Sequence, residues 1–400
     1  MNMKTIEDIY DADILYQSFE EIRKPIKYKK SVQLYGFDVL SNISETIQTH
    51  KDGKTKYHKG VEFTISERGK VRHITPVPFK ERVPVHALCS QILIPELKKK
   101  LIYDNCASLK GRGIDMQRDR MEVHLKKYFS TYHTNEGYAL FSDFSKYFDN
   151  LDHELLLKEI GKVIKDEGTL NEVKLILDAY KVDGSGMTDE EFNECLNGVY
   201  DSNKYYKRPK TGPKRYINKS VGIGSELSQI AGVYYPTRID NYVKIVRGCK
   251  FYGRYNDDFY ILHPDKEFLL DVFEGVKKIA KEQKLYINER KTRLVKLDRP
   301  FVFLKVRYRL SDTGKVSRSY LAKTFIRERR KLKKFKKKLE AGELTMETIE
   351  SQYRSWRGHV MRKRNKKSKN SKPIYDNWQA VQITDKLFKE LFGYLPKEGD

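Results

Sequence analysis

The chain has 400 residues, with 79 Lys and Arg against 55 Asp and Glu, which gives a formal net charge of +24. This length supports one large domain or two to three subdomains, and an apolar content of 39% excludes a disordered chain. No stretch approaches the roughly 18 apolar residues of a membrane span, and four separated Cys exclude a disulfide scaffold and suit a reducing cytoplasm. The charge favours a polyanion as partner, with a merely soluble basic surface as the alternative.

The predicted elements mix helices with strands. In chain order they are a helical opening over 6–22, a strand–turn–strand over 61–74, an apolar helix over 85–101, a buried strand over 138–144, a helix over 152–164, a helical then basic stretch over 165–220, a long helix over 225–246, two strands around a turn over 250–263, a helix over 268–283 and a strand over 301–309. This order predicts an α+β fold.

The stretch 165–220 is an insertion candidate without an assigned purpose. Its segment Lys181–Phe192 is similar to a calcium-binding EF-hand loop, but Lys and Phe stand where the first and twelfth ligands belong, so calcium is rejected. We expect instead a loop followed by a helix, with Thr188 as its N-cap and Glu191 as the capping-box partner.

More than half of the net charge lies in the window 321–370, which holds 18 Lys and Arg against five Glu, a net +13. Phe325, Leu332, Phe335 and Leu339 recur at helical spacing, so the window predicts a helix with one apolar face and a basic remainder. We favour a helix lying along a phosphate backbone, because like charges at this density repel unless an anion neutralises them. A solvated basic helix is the alternative.

Two acidic motifs point to a metal site. Adjacent Asp257 and Asp258 lie in a turn between two apolar strands, which is costly unless a cation neutralises them, although Asn and Asp also fill turns. Asp143 ends another apolar strand, with a helix N-cap as its alternative reading. If the strands are neighbours, the three carboxylates converge at one sheet edge. There they can hold two Mg²⁺ ions about 4 Å apart, as in in-line phosphoryl displacement.

Seven motifs resemble those of the reverse transcriptases, in that family's order. They are two fingers motifs at 70–76 and 103–113, motif A at 143–149, motif B at 221–229, motif C at 255–258, motif D at 285–292 and the motif E hairpin at 303–306. The resemblance implies a right-hand polymerase that makes DNA from an RNA template. The implied parts are an N-terminal helical extension (1–59), fingers (60–137), a palm (138–310) with the insertion, and a basic helical thumb with a C-terminal tail (311–400).

The resemblance also implies residue roles. Asp143, Asp257 and Asp258 would be catalytic and hold two Mg²⁺ ions, with Mn²⁺ as an alternative and the Phe144 carbonyl as a further ligand. The implied nucleotide-binding residues are Arg72 for the triphosphate, Phe148 as a steric gate against the ribose 2′-hydroxyl, Gly224, Gln229 and, as acid or charge partner to pyrophosphate, Lys291. The implied nucleic-acid-binding residues are Arg112, Tyr255, Phe303, Leu304, Lys333, Lys334, Lys337 and Lys338. A core Phe, a surface Gln and a solvated Lys remain the alternatives for Phe148, Gln229 and Lys291.

Motif B indicates a lineage. Its form, Ile223-Gly-x-x-x-Ser-Gln, is similar to that of diversity-generating retroelement enzymes and some phage-defence reverse transcriptases, whereas group II intron enzymes usually have Pro-Gln-Gly there. The segment 353–359 also looks like the retroelement type. About 90 residues follow motif E, which predicts no added RNase H or endonuclease domain.

The implied partners are an RNA template, a DNA primer or product and dNTPs. A dedicated non-coding RNA and a small accessory protein or second polymerase subunit would join them, with no membrane. Template-independent or protein-primed synthesis by the same site is one alternative. The other is a non-catalytic nucleic-acid-binding protein that keeps the fold, which the complete carboxylate set disfavours.

Overall fold

The computed structural model describes residues 4–67, 69–363 and 373–396. The chain forms two compact units, the first made of 1–117, 140–261 and 267–293 and the second of 118–139, 262–266 and 294–400. The predicted division into extension, fingers, palm and thumb stays a prediction. No helix among the described residues is both long enough and apolar enough to cross a membrane.

Helices make up most of the regular structure. They are α1 Ile6–Ile9, α2 Ala12–Arg23, α3 Lys30–Phe37, α4 Val39–Lys51, α5 Phe79–Leu88, α6 Ile94–Lys98, α7 Ile114–Tyr132, α8 His153–Gly161, α9 Glu167–Ala179, α10 Asp189–Asn197, α11 Ser202–Tyr205, α12 Glu226–Tyr234, α13 Thr237–Asn241, α14 Lys266–Glu282, α15 Ala322–Glu340, α16 Met346–Val360 and α17 Trp378–Phe392. Short 3-10 segments span Lys24–Ile26 and Tyr147–Asn150, and π segments span Cys89–Leu93 and Tyr242–Val246.

Within the described residues the strands form four small sheets. They are β1 Phe63–Glu67, β2 Lys70–Ile74, β3 Tyr138–Ser142, β4 Val182–Asp183, β5 Tyr216–Ile217, β6 Phe251–Tyr255, β7 Asp258–His263, β8 Arg293–Lys296, β9 Phe301–Phe303, β10 Val306–Leu310 and β11 Val316–Tyr320. Their orders are β1–β2, β11–β10–β9, β6–β7–β3–β8 and β4–β5. This mixture of helices and antiparallel sheets confirms the predicted α+β class.

Two predicted elements differ from the observed ones. The helix expected over 225–246 is divided, because Pro236 lies between α12 and α13 and its missing N–H interrupts the helical ladder. The single strand expected over 301–309 is wrong: β9 and β10 are antiparallel neighbours, in agreement with the hairpin that the resemblance to motif E implies at 303–306. They are separated by Leu304 and Lys305, whose φ angles of 44° and 66° turn the chain back.

The insertion forms a small folded region within the first unit. Strand β4 pairs antiparallel with β5, and Val182, Met187, Cys195 and Ile217 share a buried apolar cluster with Tyr200 and Tyr205. Helix α10 begins with the predicted capping box, in which the Thr188 hydroxyl accepts from the Glu191 N–H and the Glu191 carboxylate accepts from the Thr188 N–H. The insertion is therefore ordered around its own core rather than a bare loop.

The basic helix α15 lies in the second unit and has the predicted apolar face. Phe325 and Leu332 are buried, and Leu332 packs with Ile349, Tyr353 and Phe388 from α16 and α17. Burial of this apolar face stabilises the helix against the repulsion among its closely spaced positive charges. The part of the basic window at 364–370 lies outside the described residues.

Candidate active site

Three carboxyl groups meet at one edge of the sheet β6–β7–β3–β8. Asp143 follows β3 directly, Asp257 lies in the β6–β7 turn, and Asp258 is the first residue of β7. Strands β3 and β7 are adjacent in the sheet, which is the condition under which the sequence predicted convergence. The structure therefore brings together the two acidic motifs, which are more than 100 residues apart in the chain.

Burial and neighbouring acidic groups disfavour the charged forms of Asp257 and Asp258. Burial raises the pKa of Asp257, and the Asp143 charge raises it further. Burial, followed by the charges of Asp257 and Asp143, raises the pKa of Asp258 to about 7. Positive charge opposes these effects, since Lys291 lowers both pKa values while Arg72 acts on Asp257 and Lys70 on Asp258. The predicted nucleotide-binding residues Arg72 and Lys291 are thus within electrostatic reach of the carboxylates.

Lys291 is the direct partner of Asp143. Its ammonium bonds the Asp143 Oδ2, while the buried Oδ1 has no hydrogen-bond partner in the described chain. Two backbone hydrogen bonds hold the segment that carries Lys291 against the end of β3. The Asn288 N–H donates to the Asp143 carbonyl at 2.8 Å, and the Ser145 N–H donates to the Tyr286 carbonyl at 2.7 Å. Motif D therefore lies against motif A with its Lys over the acidic cluster.

The donor chemistry of this cluster fits a hard divalent cation, since carboxylate and carbonyl oxygens are the ligands that Mg²⁺ takes. The Asp143 Oδ1 is a buried acceptor without a donor, which also fits a cation ligand. Within the described residues, however, no three His, Cys, Asp or Glu side chains already stand in a metal-holding arrangement. The Lys291 ammonium neutralises part of the charge at the other Asp143 oxygen, Oδ2, where it would compete with a metal.

A buried ion pair supports the turn that carries Asp257 and Asp258. The Arg254 guanidinium donates to both Asp240 oxygens, at 2.8 and 2.6 Å, and both side chains have no exposed surface. Arg254 also donates to the Asn256 carbonyl at 3.0 Å, and the Tyr252 hydroxyl donates to Asp240 at 2.6 Å. Asn256 has a φ of 53°, a left-handed conformation that Asn tolerates. Sequence reasoning missed this pair, whose only signal was an Arg inside an apolar strand.

The β1–β2 hairpin and motif B are joined beside the carboxylates. Arg72 lies on β2 opposite Ile65, with its side chain exposed. The Thr75 N–H donates to the Ile223 carbonyl at 2.9 Å. Gly224 has a φ of 135°, and a Cβ there would lie 3.2 Å from the Thr75 carbonyl oxygen. Gly224 is thus required by its backbone conformation and by the close approach of the hairpin end.

Phe148 is half-buried against the helix that follows motif B. Its ring makes an edge contact with Tyr147, with ring centroids 5.3 Å apart. A Cβ at Gly232 would lie 2.7 Å from the Phe148 Cε1, so only Gly leaves room for the ring in this position. Gly232 is a second residue that sequence reasoning missed, because nothing in its own segment shows that a ring from motif A packs on it.

Other predicted residues have contacts inside the protein. Gln229 accepts from the Ser108 hydroxyl at 2.7 Å, and the Arg112 guanidinium donates to the Asn105 carbonyl at 2.6 Å. Tyr255 is half-buried at the end of β6. Their assigned binding roles stay predictions.

In the second unit, Phe303 is 5% exposed, and the Leu304 carbonyl accepts from the Arg118 guanidinium at 2.8 Å. Among the predicted α15 lysines, Lys338 donates to Glu343 at 2.7 Å, and Lys333, Lys334 and Lys337 are exposed. These roles also stay predictions.

Comparison with known proteins gives one family match. The family model described as reverse transcriptase (RNA-dependent DNA polymerase) matches residues 85–321, which is more than half of the chain. No curated protein matches the sequence.

Similar solved structures include three telomerases. Telomerase from Candida albicans in complex with a TWJ fragment of telomeric RNA matches at a TM-score of 0.47 and 12% identity, covering 86% of this chain and 57% of that one. Apo telomerase from Candida tropicalis matches at a TM-score of 0.46 and 13% identity, covering 88% of this chain and 64% of that one. The Candida tropicalis apo telomerase truncated from its C-terminal domain matches at a TM-score of 0.44 and 15% identity, covering 68% of this chain and 58% of that one. This chain thus spans less than two thirds of each.

Proposed function

The chain belongs to the reverse transcriptase family, with the right-hand polymerase fold, and we propose that it makes DNA from an RNA template at the cluster of Asp143, Asp257 and Asp258. The observation that carries the proposal is the adjacency of β3 and β7, which places the acidic ends of motifs A and C together. The mutual rise of the carboxyl pKa values supports it, because such a cluster is costly unless a cation is bound.

We propose that these three carboxylates and the Phe144 carbonyl hold two Mg²⁺ ions, with Mn²⁺ as an alternative. When bound, such ions favour ionisation of the primer 3′-hydroxyl and offset charge on the departing pyrophosphate. Arg72 would pair with the incoming triphosphate, since a guanidinium offers several donors to phosphate oxygens. The Lys291 Nζ, released from Asp143, would donate a proton or a hydrogen bond to the pyrophosphate.

Selection of dNTPs would rest on Phe148. Its ring packs on Gly232 and Tyr147 and therefore cannot easily move away from a nucleotide sugar. A fixed ring would collide with a ribose 2′-hydroxyl, which is the group that distinguishes the two nucleotide classes. Phe148→Ala should accordingly raise ribonucleotide incorporation relative to dNTP incorporation.

Primer extension on poly(rA)/oligo(dT), with and without EDTA, tests the site. The double variant Asp257→Asn, Asp258→Asn should lose dNTP incorporation and keep RNA binding, while the exposed control Asp298→Asn should keep both. Retained incorporation by the double variant, or incorporation in excess EDTA, would contradict the mechanism.

We further propose that the enzyme serves a diversity-generating retroelement or an anti-phage defence system. The support is the Ile223-Gly-x-x-x-Ser-Gln form of motif B. Its partners would be a dedicated non-coding RNA and a small accessory protein or second polymerase subunit. Sequencing RNA that co-purifies with the enzyme should reveal one dominant species encoded near its gene. DNA products made without added template would instead favour template-independent or protein-primed synthesis.

A further inference from the structure

A polar cavity of about 350 Å³ lies within the first unit, and the insertion forms much of its wall. The other walls come from the chain entering β1, the end of β2, the end of motif A and the start of motif B. This volume is within the range of small-ligand sites. The cavity therefore has room for one small molecule, and nothing in the polymerase mechanism uses it.

This cavity is on the other side of β2 from the catalytic carboxylates. Arg72 and Lys70 act on Asp257 and Asp258, whereas His73 lines the cavity. Neighbouring residues of a strand point to opposite faces, so the cavity and the acidic cluster face different sides of the hairpin. The cavity is thus a separate site rather than an extension of the active site.

The inner wall carries a carboxylate with spare hydrogen-bonding capacity. The Asp149 Oδ2 accepts from the Ser202 N–H at 3.0 Å and from the Ser202 hydroxyl at 2.9 Å. Its Oδ1 accepts no hydrogen bond from any described residue, although Asp149 as a whole is only 8% exposed. This oxygen is open to the cavity, so a ligand N–H or O–H can take the place of water as its donor.

The same wall carries an aromatic surface, and two lysines, Lys59 and Lys210, lie in the lining beside the carboxylates of Glu62 and Asp183. His73 and Tyr206 are stacked, with ring centroids 4.5 Å apart and planes at 28°. The Lys59 Nζ donates to the Lys181 carbonyl at 3.3 Å and lies 3.9 Å from the Glu62 carboxylate, and the Lys210 Nζ donates to the Asp183 carbonyl at 3.2 Å. Each ammonium has three N–H donors, so both keep donors for an anion.

We propose that this cavity binds a ribonucleotide, whose base lies on the His73–Tyr206 rings, whose sugar hydroxyl donates to Asp149 and whose phosphate meets Lys59 and Lys210. Carboxylates accept from ribose hydroxyls in other nucleotide sites, and ring stacking accommodates any base. A free ribonucleotide and an unpaired nucleotide of a bound RNA offer the same chemistry. The insertion supplies Ser202, Tyr206 and Lys210, so nucleotide binding gives this segment a purpose beyond DNA synthesis.

Calorimetric titration with AMP and GMP in excess EDTA tests the proposal, because chelation removes the ions on which the active site depends. We expect saturable binding of one nucleotide per chain, and weaker binding of 2′-deoxy-AMP. Tyr206→Ala should weaken AMP binding about tenfold and Lys210→Ala about fivefold. The matched controls are Tyr216→Ala and Lys214→Ala, two exposed residues of the insertion outside the cavity, which should bind as the unaltered protein does.

A single-stranded RNA oligonucleotide, again in EDTA, separates the two sources. If AMP does not bind but Tyr206→Ala weakens RNA binding more than Tyr216→Ala does, the occupant is a nucleotide of the RNA. AMP binding that is equal in all variants, or no difference between the variants with either probe, would overturn the proposal. The double variant Asp257→Asn, Asp258→Asn should still bind AMP, so failure of this site and failure of the polymerase site are distinguishable.

Discussion

Replacing Asp149 by Asn tests whether a buried carboxylate destabilises this fold. Burial raises the pKa of Asp149 from 3.8 to about 6, even though two hydrogen bonds from Ser202 lower it. A difference of about two pH units corresponds to about 3 kcal/mol at 1.36 kcal/mol per unit, an upper bound for the cost of ionisation in the folded protein. Asn keeps an oxygen for Ser202 and carries no charge, so it imitates the protonated acid.

The direction in which stability changes with pH follows from the raised pKa of Asp149. Between about pH 4 and pH 6 the folded protein binds more protons at Asp149 than the unfolded chain does, so stability falls as pH rises through this window. The cost is complete above pH 6 and absent below pH 4. Asp149→Asn should therefore be more stable than the unaltered protein by up to about 3 kcal/mol at pH 7.5, and about equally stable at pH 4.

Urea unfolding of both proteins across this pH range measures the difference. Hydrogen exchange of the Ser202 amide, compared at equal pH, reports the same effect locally and does not require two-state unfolding of the whole chain. The exposed control Asp298→Asn should show no such pH-dependent gain. If Asp149→Asn is less stable than the unaltered protein at pH 7.5, the carboxylate does not bear the cost of burial and the reasoning is wrong.

Three further predictions concern the polymerase. Arg254→Met leaves a buried carboxylate without its cation, so unfolding free energy should fall by about 3–5 kcal/mol in denaturant titration and extension should slow more than RNA binding weakens. Lys291→Met should slow extension about 100-fold while lowering the Mg²⁺ concentration for half-maximal activity, because the ammonium no longer competes for the carboxylate; an unchanged Mg²⁺ requirement would contradict this. Neutralising Lys333, Lys334 and Lys337 should weaken binding of all template sequences and flatten its salt dependence, so a loss of turnover alone, with affinity and salt slope unchanged, would contradict the thumb assignment.

The strands that carry the acidic residues could be predicted from the sequence because each is a short apolar run ended by polar residues. Phe251–Tyr255 and Asp258–His263 flank Asn256, a residue that tolerates the left-handed turn observed there. The turn at Leu304 and Lys305 could not be predicted from such a local pattern, and only the resemblance to motif E indicated a hairpin there. Neither residue type favours a positive φ, so the local sequence indicates one continuous strand and only tertiary contacts impose the hairpin.

Contacts between residues far apart in the chain also could not be predicted from the sequence. Thr188 and Glu191 lie three residues apart, so the start of α10 could be predicted from local spacing. The buried pair of Arg254 and Asp240 joins a strand to a helix, and each residue alone is an ordinary charged side chain. The cavity beside Asp149 depends on five segments meeting, which no local pattern encodes.

The acidic cluster carries negative charge within a strongly basic chain, and the two kinds of charge have different tasks in the proposed mechanism. Lys291, Arg72 and Lys70 all act on the carboxyl groups, yet burial and mutual repulsion still raise the pKa of Asp257 and Asp258. Side-chain cations therefore offset only part of the cost of ionising Asp257 and Asp258. Divalent ions concentrate their charge at the oxygens themselves, so they can complete the neutralisation that the side chains begin. In the proposed mechanism the basic surface would bind the nucleic acid, while the acidic cluster would bind the metal whose charge the surrounding residues only partly supply.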